Sequence, residues 1–254
     1  MQRKRLEDMN LLDDFLFNAV MTFPGIGERF CRLLLQVVLG REIGRLRVVA
    51  QRAFGGRDEG FRGARLDVLA EEELMDVLAD PSVFDIEPDN NGDVVSLKDL
   101  PKRVRFYHAI IDSRCLKKGE GFGKLKRVFV IFVCSYDPFD RGRMVYTIRN
   151  MCEEIPEMEY DDGLRTVFLN TKGDGAGVPE ELVALLHFLE DTREVNAVND
   201  VLRELLEMVR VVKEDGKVTV AYMKSFEREE RIRKQGEAEG RKAGLEEGKK
   251  AGLE

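Results

Sequence analysis

The chain has 254 residues, of which 43% are hydrophobic and 35% charged, and it carries a net charge of −7. That supports one sizeable core plus a solvated, charged appendage, and it excludes a protein that gathers nucleic acid through its overall charge. Four scattered cysteines without a C-x-x-C pair and two histidines argue against a structural zinc site, and with the polar start they place the chain in a reducing, cytoplasmic setting.

The first predicted helix covers 9–23, where Leu12, Phe15, Leu16, Ala19 and Val20 recur at helical spacing. Pro24 to Gly27 breaks it, and a second helix runs from Glu28 to Leu39 and stops at Gly40. Leu46 to Ala50 is a short strand, and 55–63 is a Gly-rich loop. Ala64–Ala70 and Val83–Glu87 alternate as half-buried strands do, and antiparallel pairing is expected between them. Pro101 suits the first turn of a helix reaching Ser113, with Ser96 and Asp99 as capping candidates. The stripe Val104, Tyr107, His108 and Ile111 is its core face, which makes His108 a core residue, and His187, between Leu186 and Phe188, reads the same way.

Val128–Cys134 is the longest apolar run, a buried strand far short of a bilayer span, so no membrane partner is expected. Further strands cover Met144–Ile148 and Arg165–Asn170, and helices cover Pro179–Asp191 and Asn199–Val212, with a break at Gly216. Strands mixed with helices in this order predict an α/β (α+β) domain over 1–226, a mixed sheet flanked by helices. Residues 227–254 balance eight acidic against eight basic side chains, with a glycine at every fourth position from Gly236 to Gly252. This charged tail is expected to be separable from the domain, because glycines at that density disfavour a stable lone helix. The alternative is a close-packed helix pair along the glycine stripe, which would make the protein a homo-oligomer.

Charge along the chain is sharply blocked. From Asp67 to Asp93 there are ten acidic residues and no Lys or Arg, and from Lys98 to Arg127 ten basic residues against three acidic ones. On a strand, Asp85, Glu87 and Asp89 share one face, and pairing with the preceding strand would bring Asp67 to Glu87. Carboxylates so grouped repel unless a cation joins them, and an oxygen-only set suits Mg²⁺ or Mn²⁺. The basic block beside them suits a phosphate backbone. Two oppositely charged solvated surfaces would give the same counts.

The succession R-L-D-V-L-A-E, V-F-D-I-E-P-D and L-P-K-R-V-R-F-Y-H-A-I-I-D resembles the PD-(D/E)XK nuclease family transposases, also described as recombination-promoting nucleases. D-D-F-L-F-N-A-V-M, V-F-V-I-F-V-C-S-Y-D-P-F-D, V-F-L-N-T-K-G and A-Y-M-K extend the resemblance over nearly the whole chain. It implies a restriction-endonuclease-like core and Mg²⁺- or Mn²⁺-dependent hydrolysis of DNA, with Asp67 and Glu87 as the motif's acids. Asp14 matches a feature of the family's N-terminal D-x-x-F pattern, and Arg103 and Tyr107 match the helix after the motif. Where that motif has Lys or Gln, this chain has Asp89, which acts as a third catalytic carboxylate and metal ligand or else marks lost activity. Lys98, Lys102 or Arg103 would then have to supply the missing cation. Lys102, Arg103 and Arg105 are the expected DNA contacts. The rival expectation is a catalytically degenerate DNA-binding or assembly protein that keeps the fold.

Overall fold

A computed structural model of the chain describes residues 4–54, 64–73 and 81–251. The Gly-rich loop of 55–63 and the acidic stretch 74–80 lie outside them. The chain divides into two compact units, Met1–Arg210 and Val211–Glu254.

The first unit is a mixed α/β domain built on a six-stranded sheet ordered β1-β2-β3-β4-β6-β5. Its strands are β1 (Leu46–Phe54), β2 (Ala64–Glu72), β3 (Ser82–Asp89), β4 (Arg127–Cys134), β5 (Val145–Ile148) and β6 (Leu164–Asn170). β1, β2 and β3 form an antiparallel meander, so the predicted pairing of β2 with β3 is what the sheet contains. β3, β4 and β6 run parallel, and β5 closes one edge antiparallel to β6. A parallel neighbour requires a crossover, and the helix α3 (Val94–Cys115) supplies it between β3 and β4. With neighbours on both sides and both faces covered, every residue of β3 is buried.

The helix α3 crosses one face, against β2 and β4, where Leu100, Val104 and Ile111 join Leu69, Val83, Val130, Phe132 and Phe168 in one core. α1 (Asp14–Thr22) and α2 (Gly27–Leu39) pack against β1 and each other, and α2 also meets α4 (Glu180–Glu190). Among the described residues no helix is long and apolar enough to cross a membrane.

Two helices differ from expectation. α3 starts seven residues before Pro101, because Asp93 caps it: Oδ1 accepts the Ser96 backbone N–H at 3.0 Å and Oδ2 the Ser96 hydroxyl at 2.6 Å. Pro101 therefore sits inside the helix, and Ser96 and Asp99 lie within the turns they were expected to cap. The second unit contains α6 (Gly216–Ala251), which begins at the expected break but continues unbroken past Gly236, Gly240 and Gly244. Side-chain pairs four apart, Glu230 to Lys234 at 3.1 Å, Arg233 to Glu237 at 2.6 Å and Gln235 to Glu239 at 3.0 Å, offset part of the glycine penalty.

α2 ends as predicted at Gly40, in the left-handed conformation with φ of 60°. At its other end Gly27 is fully buried, and a Cβ there would collide with the Met21 carbonyl oxygen, which is backbone and cannot swing aside. Gly27→Ala is therefore expected to destabilise the protein by at least about 1–3 kcal/mol. Chemical denaturation of the full chain checks it, with Gly25→Ala as the comparison for a purely conformational cost.

Candidate active site

Parity along β3 puts Asp85, Glu87 and Asp89 on the face that α3 covers, while Phe84 and Ile86 take the other. The three acids are 0%, 4% and 6% exposed. On β2, Val68 faces Ile86 and Leu69 faces Asp85, so the next step of the register brings Asp67 to Glu87. The two do converge: Glu87 Oε1 accepts the Asp67 backbone N–H at 2.7 Å.

Asp89 is spoken for. Its Oδ2 accepts from Arg103 Nη2 at 2.7 Å and its Oδ1 from the Asn91 backbone N–H at 2.8 Å. The Arg103 guanidinium also lies over the Phe132 ring, 4.7 Å from its centroid, and 5.9 Å from that of Tyr107, which stacks on Phe132 in turn. Arg103 and Tyr107 are four apart on α3 and so share a helix face. Arg103, which the sequence assigns to a DNA backbone, thus anchors in the acidic cluster.

The electrostatics follow from burial. Asp67 is pushed up to about 6, chiefly by burial and then by Asp14, while Arg103 pulls the other way. Glu87 is pushed up to about 7 by burial and by Asp67, against the pull of the Asp67 N–H and Arg103. Asp85 is raised well above the carboxylate range by complete burial and by Glu87. No donor among the described residues reaches either of its oxygens, so none offsets the cost of burying its charge. Burial also works against the charge on Arg103, but Asp89 and Tyr107 outweigh it and its pKa is raised.

The other expected residues scatter. Lys102 is exposed, 3.8 Å from Asp99, and Arg105 is exposed about one turn further along α3. Lys98 is exposed as well. Asp14, in the first turn of α1, is close enough to raise Asp67, which gives that N-terminal acid a place at the site. His108 is buried as expected, its Nε2 2.9 Å from Thr166 Oγ1. His187 is not: it is exposed on α4, because the apolar neighbours that made it look buried occupy the adjacent helix positions. Asp85 lies on the expected face, and its full burial in a central strand is what the alternation of the sequence does not reveal.

Among the described residues no three His, Cys, Asp or Glu side chains form a ready-made metal cage. Comparison with protein-family models, with curated proteins and with solved structures returns no match to this chain.

The raised acids carry a pH dependence. Carboxyls whose folded pKa exceeds the unfolded value contribute stability that is full below about pH 4 and is lost as pH rises through their folded values. For Asp67 and Glu87 that window runs up through about 6 and about 7. In chelator, the melting temperature is expected to fall between about pH 5 and pH 8, with Glu87 alone contributing on the order of 3 kcal/mol. Glu87→Gln should flatten that fall, which paired melts of the two proteins would measure.

Proposed function

We propose that the protein is a divalent-metal-dependent DNA endonuclease. The observation that carries this reading is the convergence of Asp67 and Glu87 across the β2–β3 pair with one guanidinium, that of Arg103, held beside them. The resemblance to the PD-(D/E)XK transposases, which covers nearly the whole chain, supports it from the sequence side.

The donor set fits Mg²⁺ or Mn²⁺. Mg²⁺ is commonly held by one or two carboxylates, with waters and substrate phosphate completing its shell, so a three-residue protein cage is not required. Asp67 raises the pKa of Glu87, and Asp14 and Asp89 raise that of Asp67, the mark of like charges that a cation among them would relieve. Asp67 and Glu87 would hold it. When bound, it supplies an activated water and offsets charge on the phosphate.

The chain's residues then have distinct tasks. The Asp67 N–H fixes the Glu87 carboxylate through Oε1, which leaves the second oxygen for the cation. Asp89 and the Phe132 ring position Arg103, whose charge stabilises the developing negative phosphate from α3 and not from the strand. In this reading Asp89 is a positioning residue. Lys102 and Arg105, exposed on α3, steer the DNA backbone.

One observation favours a second reading, a DNA-binding or assembly protein without turnover. Asp89 stands where a cation would be expected, and it neutralises part of the Arg103 charge through a buried ion pair.

Supercoiled plasmid incubated with Mg²⁺ or Mn²⁺, with and without chelator, separates the two. We expect nicking that Asp67→Ala and Glu87→Ala each abolish while circular dichroism stays native. Arg103→Met should reduce the rate on the order of a hundred-fold, as loss of a donor to a developing oxyanion does. No cleavage by the parent under either metal would leave the binding-only reading standing.

A further inference from the structure

A cavity of about 450 Å³ opens on the same sheet face, between α3, β6 and the end of β5. Its apolar walls include Phe139, Ile148, Leu164 and Phe168. Phe139 is fixed edge-on against both Phe168 and Tyr146, with centroids 5.0 Å apart in each pair, so the aromatic wall is rigid. Ile148 is 50% exposed and faces Thr166 across the β5–β6 ladder.

The polar lining is cationic. Arg105, Arg149 and Arg165 all reach it. Arg165 is compensated by Asp161 at 3.0 Å and Asp162 at 4.0 Å. Arg105 and Arg149 have no ion-pair or hydrogen-bond partner among the described residues, and both are exposed. His108 also lines the cavity; its Nδ1 is buried without a hydrogen-bond partner among the described residues, while Nε2 meets Thr166.

The cavity is also in line with the acidic cluster. Glu87 lies opposite Phe132, and Phe132 opposite Phe168, in one row across β3, β4 and β6. Two strand spacings are about 10 Å. That is the rise of about three nucleotides along a stacked strand. Phe132 and Phe168 stack at 5.6 Å, and Arg103 rides on the near end of that row.

We propose that this cavity receives one unstacked nucleotide of a DNA strand, its base against Phe139, Ile148 and Phe168 and its phosphate on Arg105 and Arg149. An apolar slot of this size with a few polar groups at its mouth is the usual form of a small-ligand pocket. Base-on-aromatic contact is tolerant of sequence and needs an unpaired base, so the substrate class is single-stranded or locally opened DNA. The inference rests on the DNA-cleavage reading for its substrate, but its test does not depend on cleavage.

The full chain is titrated in chelator with a short single-stranded oligonucleotide carrying one 2-aminopurine, with the same sequence as a duplex, and with dAMP. We expect the single strand to bind with a change in 2-aminopurine fluorescence. Ile148→Trp, which fills the slot from an exposed position, should weaken that binding about tenfold and leave the duplex unaffected. Arg105→Ala with Arg149→Ala should weaken it as well and reduce the salt slope by about 1.4. Unchanged melting temperatures show that the variants fold. Single-strand binding by Ile148→Trp equal to the parent, or dAMP binding without strand binding, overturns the proposal. If the parent binds and Ile148→Trp does not, yet no metal gives cleavage, the pocket stands and the nuclease reading falls. If the parent cleaves and Ile148→Trp binds and cleaves alike, the pocket falls alone.

Discussion

The carboxyl groups of Asp67, Asp85, Glu87 and Asp89 gather on one face of the β2–β3 pair, and the Arg103 guanidinium answers them, with Arg65 also acting on Asp67. Burying an isolated carboxylate is prohibitive, so each acid must be neutralised, paired or hydrogen-bonded. The structure uses all three solutions. Burial pushes Asp85 toward its neutral form, Asp89 is paired to Arg103, and Glu87 takes a backbone N–H from Asp67. Asp67, the least buried of the four, keeps the residual repulsion. In the proposed nuclease, a bound cation would relieve that repulsion.

Arg103 can answer them because α3 presents two stripes to one sheet face. Leu100, Val104 and Ile111 fill the core, and Arg103 and Tyr107 extend along its acidic side. The aromatic row Tyr107, Phe132 and Phe168 gives the guanidinium a flat surface and excludes water from its inner side. Arginine suits such a place better than lysine, since its planar, weakly hydrated fork stacks on a ring while still bonding a carboxylate.

Much of this was legible in the sequence because strands repeat at two. The alternation in 64–70 and 83–87 set the faces, and antiparallel pairing then brought Asp67 to Glu87. The run Arg127–Cys134 announced a central strand by being apolar throughout, as parallel strands covered on both faces are. What stayed hidden was set by distance along the chain or by competing local signals. Pro101, with Ser96 and Asp99, points to a later helix start than the one the Asp93 side chain caps. His187 was judged by its neighbours and not by its own helix position. The cavity draws Arg105 from α3, Phe139 from a turn, Arg149 from beyond β5 and Arg165 from β6, and no spacing in the sequence joins them.

The exchange at position 89 is best understood as a charge moved and not a charge lost. In the motif this chain resembles, the strand itself would carry the cation two residues past Glu87. Here the strand carries an acid, and the cation comes from fourteen residues further on, held by that acid. The count of positive groups beside the cluster is the same, but their freedom is not. A strand lysine would point its whole charge at a phosphate, whereas Arg103 shares its charge with Asp89 and is tethered by two rings. In the proposed nuclease, such a cation would be firmly positioned but would pull less on a phosphate, so geometry, more than field strength, would have to supply transition-state stabilisation.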